Sequence, residues 1–274
     1  MRRVKKRTFS GCVLEQEIYS ISERGSVKTA LPRLRFKDEE ERQAHKDGIA
    51  RRRHARLIND NYSPESLYST LTFDVENEVH TYKEAKLIRD RYYRRLIYKY
   101  PDAKINIYIG RGAATDRYHL HMLTDGIPEE YIMKQWKFGE ICRIEHLREH
   151  NKYDGVDYGQ DYTGLANYLF DHWRPEFGGH RYKASRTVKQ PQCEAPREIK
   201  REYSEAKPPK APEGYKLVEC KVTRYGYMWF KYIKEEFFDR IPQSSKILPT
   251  AKNLLKTAPF RQGGLGRGRS KPCK

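Results

Sequence analysis

The segment Arg117-Tyr-His-Leu-His-Met-Leu123 holds the residues whose spacing most directly permits chemistry. On a β-strand successive side chains point to opposite faces, so His119 and His121 share one side while Tyr118, Leu120 and Met122 share the other. Neutral imidazoles converging on one spot can hold a divalent metal when an adjacent element supplies a further ligand. A histidine pair on a solvated strand face is also common, so the tripeptide takes its meaning from context. Acids near predicted strand ends, Asp74, Glu76, Glu140 and Glu145, are candidates for the further ligand, and spacing does not choose among them. Arg111 and Arg117 flank a predicted hairpin loop, where they can clamp phosphates beside a metal or serve as ordinary turn residues. Gly110 and Gly112 let another group approach the backbone closely. The Gly-Arg-Gly run lacks the Gly-Lys-Ser/Thr ending of a P-loop, so no nucleotide hydrolysis is expected.

The elements that must position these residues begin at Leu67-Tyr-Ser-Thr-Leu-Thr-Phe73, whose period of two predicts a strand. Thr81 with Glu84 forms a capping box, opening a helix with an Ala85, Ile88, Tyr92, Leu96 stripe. Lys83, Lys86, Arg94 and Lys99 face elsewhere on that helix, which makes Lys83 and Arg94 candidate DNA contacts. Pro101 ends it, and strands over Lys104–Ile109 and Arg117–Leu123 form a hairpin. Pro128 opens a helix through Lys137, a fourth strand covers Ile141–Leu147, and Asp161 can cap a helix running through Trp173. The β-α-β-β-α-β-α order predicts an α+β fold, a ferredoxin-like, RRM-like split βαβ antiparallel sheet with helices on one face.

The whole chain has the charge of a polyanion binder: 55 Lys and Arg against 37 Asp and Glu give a formal +18 over 274 residues. With 37% apolar residues and 21 tyrosines, one modest core rich in amphipathic rings is expected. Residues 1–62 read as a basic, partly helical N-terminal appendage with a helix over Lys37–Ile58, and 63–185 as the α+β domain. Residues 186–274 read as a linker, a small hairpin over Tyr215–Ile233 and a basic Gly/Arg tail. No apolar run approaches the roughly 18 residues of a membrane span, and the basic start is not followed by a signal-peptide core. A soluble cytoplasmic protein without membrane association is expected. The five scattered cysteines form no CxxC pair and support neither a disulfide framework nor a cysteine zinc cage.

Over Leu67 to Trp173 the chain resembles the HUH-type rolling-circle replication initiators, the class of plasmid and filamentous-phage Rep endonucleases that includes, more distantly, relaxases and HUH transposases. The resemblance rests on Leu71-Thr72 in a strand, then His119-Leu120-His121, then the helical segment Gly164-Leu-Ala-Asn-Tyr-Leu-Phe-Asp-His-Trp173. It implies metal-assisted nicking and rejoining of single-stranded DNA at an origin, with His119 and His121 holding Mg²⁺ or Mn²⁺. Tyr168 would attack the phosphodiester, leaving a 5′-phosphotyrosine and a free 3′-hydroxyl. His172, one helical turn later, would act as proton relay or phosphate contact. Judged from its neighbours Leu165, Leu169 and Trp173 alone, Tyr168 reads as core, and Tyr162 and then Tyr158 are the competing nucleophiles. Two positions depart from the family pattern: Asp171 stands where members commonly carry Lys, and Gly110 where they often carry an acidic ligand.

The implied partners are single-stranded DNA or an origin hairpin, with host helicase and polymerase, in a bacterial cell carrying a plasmid, phage or mobile element. A transposase or relaxase would use the same chemistry. Two other readings stand beside it: a non-catalytic RRM-like sheet stacking bases on Tyr108 and Tyr118, and a structural zinc site completed by Cys142.

Overall fold

The computed structural model describes residues 2–21, 38–112, 116–139, 141–153, 156–174, 180–223 and 226–237. In chain order these form β1 (Arg2–Ser10), β2 (Val13–Ile21), α1 (Glu39–Asn61), β3 (Leu67–Thr72), α2 (Tyr82–Lys99), β4 (Lys104–Arg111) and β5 (Tyr118–Asp125). Then follow α3 (Glu129–Gln135), β6 (Ile141–His146), β7 (Lys152–Tyr153), β8 (Val156–Asp157), α4 (Thr163–Asp171) and β9 (Tyr182–Ala184). The described chain ends with β10 (Gln192–Cys193), β11 (Arg197–Glu198), β12 (Tyr215–Val222), β13 (Met228–Lys234) and a 3-10 turn at Glu235–Phe237. The Gly/Arg tail and the hairpin loop at 113–115 lie outside the described residues.

The molecule is α+β, with antiparallel sheets and four α-helices among the described residues. The sheet that carries the histidine pair has the order β6-β3-β5-β4-β9. Its alternation sorts residues cleanly. Leu71, Ile105, Ile107, Ile109, Leu120 and Met122 point to one face, where they pack with Ala85, Tyr92 and Leu96 of α2 and Ile132 of α3. Tyr68, Tyr108 and Leu123 point to the other face, beneath Ala55 and Ile58 of α1 and Ala166 and Leu169 of α4. The expectation of helices on one face is therefore corrected: both faces are covered, because the polar-looking second face of the sheet carries enough ring and aliphatic surface to seat α1 and α4. The capping box of α2 forms with both of its bonds, between Thr81 and Glu84.

The N-terminal appendage is also corrected. β1 and β2 form a hairpin that continues through β13 to β12, with β10 and β11 closing on β1. Gly11, at φ +58°, makes the hairpin turn, and a Cβ there would run into the Asn59 carbonyl of α1. One face of this second sheet buries Leu14, Ile18, Phe230 and Tyr232. The other face meets α1 and α4 through polar bonds: Arg56 to Glu15 (Nη2 to Oε2, 2.6 Å) and the buried pair Lys231–Asp161 at 2.5 Å. The described residues thus belong to one compact unit, and the expected boundaries at 62/63 and 185/186 separate nothing in it. Sequence patterning missed the N-terminal strands because Arg2-Arg-Val-Lys-Lys-Arg-Thr alternates only weakly, and the apolar partners of this hairpin come from β12 and β13, about 200 residues later. No described helix is long and apolar enough to cross a membrane.

Candidate active site

β5 is the central strand, paired on one side with β3 and on the other with β4, so each histidine has a neighbour on both flanks. His119 lies opposite Thr72 and Gly110, and His121 opposite Thr70 and Tyr108. α4 crosses this face and brings a third imidazole, His172, so that ligand atoms of His119, His121 and His172 all lie within 4.8 Å of one another. The Nε2 atoms of His119 and His121 are 3.0 Å apart. That separation matches two nitrogens each about 2.1 Å from one ion at near a right angle.

Each ring is held by its other nitrogen, which leaves Nε2 facing inward. His172 Nδ1 bonds the Tyr168 carbonyl at 2.8 Å, and His119 bonds the Arg117 carbonyl. His121 Nδ1 meets the Tyr68 hydroxyl at 2.7 Å and Thr70 Oγ1 at 3.2 Å. Such partners fix tautomer and orientation in metal-binding histidines. Burial makes all three basic sites weak: His119 falls to about 4, His121 falls well below its ordinary value and His172 falls as well, with the mutual repulsion of the imidazolium forms adding to the effect at His119 and His121. Neutral, convergent, oriented imidazoles are the donor set a divalent metal needs, so these residues fit one.

Gly110 explains how His172 reaches the pair. A Cβ at that position would stand 2.5 Å from His119 Nε2 and 2.8 Å from His172 Cδ2. The space that a side chain would fill at this position is occupied by imidazoles. None of the described candidate acids joins the trio: Asp74 binds the Asn77 backbone and side chain, Glu145 stands opposite Tyr68 and pairs with Arg143, and Glu76 is exposed. Glu140 and the Cys142 side chain lie outside the described residues.

Tyr168 stands on the same helical face as His172, one turn earlier, with ring centroids 4.3 Å apart, and 5.6 Å from the His121 ring. It is 36% exposed, the only one of the proposed nucleophiles brought to the histidines and open to solvent. Burial raises its hydroxyl above the usual range, and a hydrogen bond from Tyr68 pulls it back. Tyr162 sits at the start of α4, 2% exposed in the core with Ala55, Ile58 and Leu123. Tyr158 packs against the cluster of Cys12, Val13 and Ile233 ahead of the helix. Neither reaches the site.

The arginines and lysines divide. Arg117 donates to the Phe73 carbonyl at 2.9 Å, beside the histidine face. Arg111 pairs with Asp116 and lies over the Tyr118 ring, on the α2 side of the sheet. Lys83 and Arg94 are exposed on α2, across the sheet from the histidines, so the structure does not bring them to this site. Tyr118 and Tyr108 are buried on opposite faces and offer no stacking platform. Asp171 is clamped by Arg51 through both carboxylate oxygens, which ties α4 to α1. Sequence reasoning missed Tyr68 and Thr70, although their even spacing with Thr72 on β3 placed them on one face. It also missed Arg174, which donates to the Arg111 carbonyl just past Gly110.

Comparison with protein-family models, with curated proteins and with solved structures finds no match for this chain.

Proposed function

We propose that this protein is a metal-dependent tyrosine nuclease of the HUH type, nicking and rejoining single-stranded DNA to initiate rolling-circle replication. The observation that carries the reading is the convergence of three inward-facing imidazoles with a partly exposed tyrosine borne one turn from the third. The strand order supports it: counted from Leu67, the four main strands lie fourth-first-third-second, all antiparallel, as in a ferredoxin-like split βαβ sheet.

His119, His121 and His172 would hold the ion, which supplies Lewis-acid neutralisation of a phosphodiester's non-bridging charge. A nitrogen-only donor set disfavours Mg²⁺, which seeks oxygen, and leaves Mn²⁺ as the better fit of the two. Tyr68 donates to the Tyr168 oxygen and so favours its ionised form. Tyr168 gives its proton to solvent, and its oxygen attacks phosphorus. The O–P bond to tyrosine forms as the bond to the 3′-oxygen breaks, and that oxygen leaves as a hydroxyl after taking a proton from water. Attack by a 3′-hydroxyl on the phosphotyrosine reverses the step and rejoins the strand. Unwinding and synthesis would fall to a host helicase and polymerase. The same site suits a transposase or relaxase, and the DNA ends used distinguish them.

The test is a denaturing gel of protein incubated with labelled single-stranded oligonucleotides and Mn²⁺. A covalent protein–DNA band is expected for wild type and Tyr162→Phe and is lost by at least about 10³-fold in Tyr168→Phe. A band that persists in Tyr168→Phe removes that residue as nucleophile, and no band for wild type with any origin-derived strand overturns the nuclease reading.

A further inference from the structure

A second cleft lies beside the site, between α1, the end of α4 and β9, with a volume of about 810 Å³. Its walls carry Lys46, Arg53, His180, Arg181, Phe170 and Tyr182. The three successive arginines of α1 differ in their commitments. Arg51 is spent on Asp171 and Arg52 on Tyr227 and Glu17. Among the described residues, neither Arg53 nor Lys46, two turns earlier on the same helical face, has a carboxylate or hydrogen-bond partner. Two cations without a described counter-charge therefore line one concave wall. Opposite them, Arg181 is held by Asp47 and stacked on the Phe170 and Trp173 rings at 4.0 and 4.2 Å, a planar guanidinium, and Tyr182, packed on His54, lines the same cleft. Cations without protein counter-charges beside flat rings are the chemistry that recognises a nucleotide, phosphate and base together.

The cleft is placed to take the strand that the histidines would hold. Tyr108, the cross-strand neighbour of His121, contacts His54 and Tyr182 in the cleft wall. β5, β4 and β9 are consecutive in the sheet, so the cleft begins about 10 Å from His121 at the usual strand spacing. A few nucleotides of single strand span that distance. We propose that this cleft binds a nucleotide of the single-stranded DNA flanking the scissile phosphate, through Lys46 and Arg53. The inference rests on the nuclease reading for the identity of the strand, and its test does not depend on cleavage.

Binding of a labelled single-stranded oligonucleotide to the full chain is followed by anisotropy in EDTA over a salt series. Lys46→Ala/Arg53→Ala should weaken binding by about 10-fold and reduce the slope of log affinity against log salt by about 1.4, the value for two lost phosphate contacts. Lys83→Ala/Arg94→Ala removes the same charge from the far side of the sheet and should leave the slope nearly unchanged. Equal effects in the two pairs would reduce the cleft to part of a general basic surface and overturn the proposal. So would competition by inorganic phosphate at low millimolar concentration, which marks a free-anion site, or no binding by wild type. A covalent band with no special effect of Lys46 and Arg53 sinks this inference alone. A selective loss of binding without any band sinks the nuclease reading and leaves the cleft standing.

Discussion

At the scale of single residues, the site depends on a side chain that is absent. Gly110 makes room for the His119 and His172 rings, so Gly110→Ala should displace them while adding only a methyl group. We expect Gly110→Ala and His172→Ala each to lower Mn²⁺ affinity by about 10- to 100-fold in a calorimetric titration, with far-ultraviolet circular dichroism unchanged. Unchanged affinity in His172→Ala would return the third ligand to an acid outside the trio. The histidine pair was legible in the sequence because strand alternation alone sets His119 and His121 side by side. His172 was visible only as a neighbour of Tyr168. Its convergence with the pair follows from α4 crossing the face of the sheet, which no local pattern specifies.

At the scale of elements, α1 is the part that holds the site helix in place. It lies between the two sheets, gives Ala55 and Ile58 to the core under α4, and bonds α4 through Arg51–Asp171 and Asn59. The acid at Asp171 thus has a structural partner where the resembling family commonly has a lysine. The Arg51–Asp171 pair is exposed, and such pairs contribute about 1 kcal/mol or less. The buried Lys231–Asp161 pair, which fastens β13 to the start of α4, is a different case. Lys231→Met leaves Asp161 without its counter-charge and should cost about 3–5 kcal/mol in urea unfolding, and Lys231→Met/Asp161→Leu should recover much of that loss. A cost below about 1 kcal/mol for Lys231→Met would show that Thr163 and Asn59 satisfy the carboxylate by themselves. The amphipathic helices α2 and α3 and the strands β3 to β6 were readable from their periods and caps. The packing of a polar helix such as α1 was not, because its buried residues cluster in its last two turns and half of them are polar.

At the scale of the whole molecule, the chain joins β1 and β2 to β13 and β12 beside one helix layer and sets a buried histidine in that layer. His54 is 2% exposed, bonds the Tyr108 hydroxyl at 2.7 Å, and is driven by burial from 6.5 to about 4. Because its folded value lies below its unfolded one, the unfolded chain binds the proton first. Stability is full above about pH 6.5 and falls as pH drops toward 4, by about 3 kcal/mol for this residue. Urea midpoints measured from pH 7.5 to 4.5 should therefore fall less steeply in His54→Gln than in wild type, and parallel curves would remove His54 from the account. By itself the sequence determined the net positive charge, the order of the main strands and helices between Leu67 and Trp173, and the pairing of His119 with His121, because each of these depends on composition or on contacts between near neighbours in the chain. Only the tertiary structure decided that His172 joins the pair, that Tyr168 rather than Tyr162 lies beside it, and that β1 and β2 complete a sheet with β12 and β13. These depend on groups far apart in sequence meeting across a packed interface, where the register of one helix on a sheet face selects which side chains converge.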